Sequence, residues 1–191
     1  AVSKPLPLAR YKIVESKAAE FYGLDKTPIE VEIEHAGQIV KAAMTNKSLY
    51  TNVSIKKTGY VEVMPGQLVR YNFTGIANNS TTALESFYWR DTLPVKAVRL
   101  EKIYTGTWNT PGNYKIVYKT NLSGDNWRTL ADNLSTSKNY VLDASSAALG
   151  LASNEYVTEF MAAFGIVPSN FRQVEAPRVD CKVLSKLTGG T

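Results

Sequence analysis

Apolar and polar residues alternate along most of this chain with the period of two that a half-buried β-strand requires. Ile29-Glu-Val-Glu-Ile-Glu34 alternates strictly and predicts a strand with one solvated face. His35-Ala-Gly37 then reads as a turn, and residues 38–44 as the return strand of a hairpin. Residues 53–57 alternate again. Further strand-like runs follow at 67–75, 84–91, 97–104, 114–120, 127–130, 139–142, 156–164 and 179–184. Turn-forming clusters separate them at Met64-Pro-Gly66, Ala77-Asn-Asn-Ser80, Thr110-Pro-Gly-Asn113 and Ser123-Gly-Asp125. Many short strands at this spacing predict an all-β sandwich. One helical interruption is expected at 143–150, a turn or two linking the sheets, with Asp143 as N-cap and Gly150 as stop. Residues 156–164 fit either period, and their β-branched and aromatic start tips them to strand.

Composition narrows the function more than the fold. The 191 residues can form one large domain or two small ones. The net charge is +5, yet the longest basic run is the pair Lys56-Lys57, so the signature of a nucleic-acid patch is missing. No segment has the length and apolarity of a membrane span, and no signal peptide opens the sequence. A single cysteine, Cys181, rules out a disulfide within the chain, and without a neighbouring histidine it reads as a small buried hydrophobe. His35 has no second histidine for a metal pair, and no nucleophile elbow or phosphate loop is present. Neither a metal nor a cofactor is expected, and a turnover enzyme is disfavoured. Phe87 and Trp89 fall on one strand face, expected to be core. Trp108 and Trp127 lie near turns and are the candidates for exposure, where aromatic rings could stack on sugars as in a carbohydrate-binding module.

The segment Tyr11–Gly23 carries a resemblance. Tyr11, Ile13, Glu15, Ala18 and Tyr22 match the "E-box" of the Cna B-type domain of Gram-positive pilins and adhesins, with Ser16 and Ala19 replacing the usual Thr and Pro. The resemblance implies a prealbumin-like β unit in which the Glu promotes an internal Lys–Asn isopeptide bond. Glu15 then matches the catalytic Glu and Asn46 the acceptor. The donor has no counterpart, since Lys4 sits between Ser3 and Pro5 in a poor strand. The chemistry needs a lysine made neutral by burial and a protonated carboxyl to polarise the amide.

From about Thr58 onward a second resemblance appears. Gly59–Gly66, Val69–Phe73, Ile76–Ser80 and Phe87–Pro94 form an ordered series similar to a repeat-type Ig-like domain of bacterial surface proteins, with later segments resembling the longer form in clostridial cell-wall adhesins. The expected division is therefore 1–56, a partial Cna B-type unit, and 57–191, an Ig-like sandwich. Related domains suggest a second crosslink, Lys57 to Asn78 or Asn79 with Asp91 as catalyst. The plainer alternative makes Asn78, Asn79 and Asp91 turn residues. The implied function is a non-enzymatic stalk or presentation segment, extracellular and cell-wall associated, with signal peptide and sorting motif outside this sequence. Its expected partners are adjacent modules and a host matrix protein or glycan, with no nucleic acid and no membrane contact.

Overall fold

The computed structural model describes residues 2–59, 62–184 and 187–188, and among them there is no helix. The chain divides into two units, Ala1–Tyr50 and Thr51–Thr191.

In the first unit, strands β1 (Ala9–Ile13) and β2 (Ile29–Ile33) pair antiparallel with Tyr11 opposite Val31. The register sets Arg10 opposite Glu32 and Lys12 opposite Glu30, and ion pairs of 3.0 and 3.1 Å close both. The acidic alternation of β2 is thus a solvated face, as expected. The expected hairpin with residues 38–44 does not form. Gln38 instead folds back: its Oε1 accepts from Glu34 N at 2.6 Å and its Nε2 donates to the Glu32 carbonyl at 3.2 Å. That side chain occupies the backbone groups a return strand would have used. No residue of 2–50 is buried, so this unit has no core of its own.

The second unit is an Ig-like β-sandwich. Its strands are β3 (Val53–Thr58), β4 (Glu62–Val63), β5 (Leu68–Asn78), β6 (Leu84–Thr92), β7 (Val98–Tyr104) and β8 (Thr107–Trp108). Then come β9 (Asn113–Thr120), β10 (Arg128–Ser135), β11 (Val141–Asp143), β12 (Val157–Val167), β13 (Gln173–Glu175), β14 (Arg178–Val183) and β15 (Leu187–Thr188). One sheet runs β10-β9-β12-β6, the other β11-β7-β14-β5-β3, and the pairs β13-β8 and β15-β4 complete the strands. Val53–Thr58 belongs to this unit because it pairs with β5, so the division falls six residues before the expected 56/57. The expected helix at 143–150 is a series of turns. Asp143 does act as a cap, accepting from Ser145 N at 3.1 Å and Ser145 Oγ at 2.7 Å, but it closes β11 rather than opening a helix.

The core lies between the two sheets. Phe73 of β5 meets Trp89 of β6 at 4.8 Å and Phe160 of β12 at 6.1 Å between ring centroids. A second aromatic cluster gathers Phe87, Phe164 and Phe171 around Trp108, whose ring stacks on Phe171 at 5.3 Å. Aromatic pairs in these geometries add about 0.5–1.5 kcal/mol each beyond area burial. Phe87 and Trp89 face inward as expected, while Tyr88 between them is half exposed.

Candidate functional site

Glu15 follows β1 and reaches across its unit to Asn46. The Asn46 Nδ2 donates to Glu15 Oε1 at 2.6 Å, and the backbone N–H of Asp25 donates to Glu15 Oε2 at 3.2 Å. The Asn46 Oδ1 is enclosed without a hydrogen-bond partner. The two residues singled out in the sequence therefore meet, with the amide carbonyl free, and among the described residues no lysine pairs with either. The pair is a carboxyl hydrogen-bonded to a carboxamide, with no amine bonded to either among the described residues.

The second candidate site has the opposite deficit. Lys57 lies on β3 and Asp91 on β6, the facing edge strands of the two sheets. The Lys57 Nζ donates to both carboxylate oxygens of Asp91, at 2.7 and 2.8 Å, and rests over the Tyr71 ring at 4.4 Å. Burial pushes the Asp91 carboxyl above its ordinary value, and the Lys57 hydrogen bond and charge pull it part of the way back. This is an ion pair bridging the sandwich, partly shielded from water.

Neither Asn78 nor Asn79 approaches it. Asn78 lies opposite Val53 in the β3–β5 register, whereas Lys57 lies opposite Phe73. Four residues of strand, about 13 Å, separate them. Asn78 is fully buried and saturated: Nδ2 donates to the Thr82 and Pro168 carbonyls, and Oδ1 accepts from Ser80 N. Asn79 Nδ2 donates to Ser54 Oγ at 3.0 Å, and its backbone N–H to the Asn52 carbonyl at 2.8 Å. Ser80 Oγ accepts from Asn52 N at 2.8 Å. Asn79 and Ser80 thus fasten the incoming chain to the end of β5, and Asn78 holds the turn that carries them. Turn chemistry was legible at Asn78-Asn-Ser80, but the fastening of Asn52 was not.

The tryptophans also separate. Trp108, expected to be exposed, is 5% exposed and part of the aromatic core. It starts near a turn, but its short strand pairs with β13 and tucks the indole inward beside Phe171. Trp127 is half-buried, with the Lys119 ammonium 4.9 Å from its ring. The three indoles do not form one platform. Cys181 is fully buried, and burial pushes its thiol up to about 12. His35 sits in an exposed turn, and the described residues hold no group of acidic, histidine or cysteine side chains that could bind a metal.

A family model described as SpaA, prealbumin-like fold domain, matches residues 1–48, about a quarter of the chain. That match supports a Cna B-type domain of the Gram-positive pilin and adhesin class over the first unit. No curated protein and no solved structure matches the chain.

Proposed function

We propose that this chain is a non-enzymatic stalk or presentation segment of a cell-wall-anchored Gram-positive surface protein, working outside the cell. The observation that carries the reading is how the chain threads the second unit. β3 and β14, the first and last long strands, both pair antiparallel with β5, on its two sides. They therefore run parallel to each other. Val53 comes in beside Asn78 at one end of β5, and Lys182 leaves beside Leu68 at the other.

The two ends of the unit are thus separated by the length of an 11-residue strand, about 35 Å. Tension along the chain then shears both ladders, loading their hydrogen bonds together instead of opening them one at a time. Both ends carry extra ties. Asn52 is held by Asn79 and Ser80, while Val183 exchanges backbone bonds with Gly66 and Gln67, and Leu184 N donates to the Ala97 carbonyl. A spacer that transmits force needs this arrangement; a catalyst does not. The Lys57–Asp91 bridge, between edge strands of opposite sheets, would resist their separation. The first unit's match to the pilin-type family supports the same setting. Neighbouring modules of the same polypeptide are the immediate partners.

Single-molecule pulling on the second unit tests this. Pulling from residue 51 to residue 184 is expected to give one high-force rupture followed by an extension on the order of 400 Å. Pulling between residue 51 and Thr81, which peels β3 from β5 from one end, is expected to proceed at distinctly lower force. Equal forces for the two geometries would refute the mechanical reading. Intact mass is the companion measurement: loss of one ammonia would reveal a Lys–Asn amide, loss of one water a Lys–Asp amide, and the unmodified mass leaves Lys57–Asp91 as an ion pair.

A further inference from the structure

The outer face of the four-stranded sheet carries a groove of about 600 Å³ that the stalk reading leaves unused. Its floor follows from register. Ala163 of β12 is flanked in one row by Tyr88 of β6 and Lys115 of β9, and Met161 in the next row by Arg90 and Val117. A small residue between two long ones makes a trough, and the flanking side chains stand two strand spacings apart, about 10 Å. Val117 is 4% exposed although it faces away from the main core, so this face is already partly roofed.

Two bulges shape the walls. Asn133 adopts φ 54° where the β9–β10 register slips, bringing Asp132 and Asn133 to the groove, and Asn113 Nδ2 holds Asn133 Oδ1 at 2.7 Å. Gly165 adopts φ 72° at the slip between β12 and β6. Bulges re-aim side chains in this way beside binding sites. Trp127 closes the side opposite Tyr88.

Charge decides the class of ligand. Arg90 and Lys115 belong to none of the ion pairs found among the described residues. Asp132 lines the same groove, and Glu159 lies one row beyond Met161. The lining residues thus carry two cations against one carboxylate, and Glu159 lies opposite Lys119, so the excess of one charge is too small to select a polyanion or a polycation. Across the molecule, the cations on the five-stranded sheet are differently placed: Arg70 is bound to Asp180, and Arg178 packs on Tyr104 at 4.0 Å. Aromatic side chains beside planar amide, carboxylate and guanidinium groups suit a pyranose, which offers an apolar C–H face and vicinal hydroxyls. The floor is side chains rather than a strand edge, so an extended peptide lying on it would find no backbone there to pair with.

We infer that this groove binds a neutral oligosaccharide, with sugar rings against Tyr88 and Trp127 and hydroxyls held by Arg90, Asp132 and Asn133. The site is independent of the load-bearing ladders.

The test is calorimetric titration of the full chain with cellohexaose, maltohexaose, xylohexaose and chitohexaose. Heparin hexasaccharide and an extended hexapeptide serve as comparisons. At least one neutral hexasaccharide is expected to bind saturably, with affinity little changed by raising salt tenfold. Tyr88→Ala and Arg90→Gln, both surface changes, are each expected to weaken it about tenfold. Unchanged thermal unfolding of both variants shows that the fold is kept, and Trp127→Ala gives a third reading. No saturable binding by any neutral sugar overturns the inference. So does binding that Tyr88→Ala and Arg90→Gln both leave unchanged, or binding confined to heparin or the peptide.

Discussion

Replacing Lys57 with Met removes one ammonium and keeps most of the stem that lies against Tyr71 and Phe73. What remains is Asp91, whose side chain is 10% exposed and which has lost both of its short hydrogen bonds. Stripping one partner from a fully buried pair costs about 3–5 kcal/mol. The Lys57 side chain is itself 33% exposed, so water already screens the pair and the expected loss is nearer 2 kcal/mol. The pH dependence fixes the cause. Burial raises the folded-state pKa of Asp91 in the native protein, so its ionisation lowers stability as pH rises through that pKa, and the penalty is absent below the unfolded value. Without Lys57 the upward push is unopposed, and the penalty grows. The gap between native protein and variant should therefore be widest near about pH 7 and close toward about pH 3.5, where Asp91 is protonated in both states. Urea unfolding followed by tryptophan fluorescence reports on the second unit alone, because Trp89, Trp108 and Trp127 all lie there. A double variant, Lys57→Met with Asp91→Leu, should recover most of the loss. A gap that stays constant from about pH 3.5 to about pH 7 would refute the electrostatic account.

Trp108→Ala should cost about 3–5 kcal/mol and collapse the near-ultraviolet dichroism of the aromatic cluster, because the indole is core rather than ligand surface. Gly106→Ala drives a Cβ into the Glu175 carbonyl oxygen at φ 67°, a clash with backbone that should lower the midpoint of thermal unfolding by several degrees, to be read by calorimetry. The Cys181 thiol, pushed up to about 12 by burial, should react with Ellman's reagent at about pH 8 only after unfolding, so fast labelling of the native chain would contradict its placement. Glu15→Ala should speed hydrogen exchange at the Asp25 amide, which donates to that carboxylate, while leaving the second unit unchanged by the same measurement.

Much of this molecule was legible in the order of its residues. Local alternation is a backbone-scale signal, so the long strands of the second unit and the inward set Phe87 and Trp89 could be placed without knowing any partner. The Glu15–Asn46 meeting was legible too, through a resemblance that the family match over 1–48 supports. The short strands β4, β8, β13 and β15 carried no period to read, since two or three residues cannot show one. The hairpin expected after β2 was lost to one glutamine side chain, a competitor that alternation does not register.

By itself the sequence determined that the fold would be all β, that Phe87 and Trp89 would face its core, and that Lys57 and Asp91 were charged groups that could meet. Tertiary structure alone decided which of them would meet. Lys57 faces Asp91 rather than an asparagine because the β3–β5 register sets Asn78 four residues away and the sandwich brings β6 across the gap. It also decided that β3 and β14 run parallel on the two sides of β5, which puts the ends of the unit at opposite poles. Register and sheet order arise from contacts among residues far apart in the chain, and each is set by the total surface buried when two sheets close. No local pattern carries that sum.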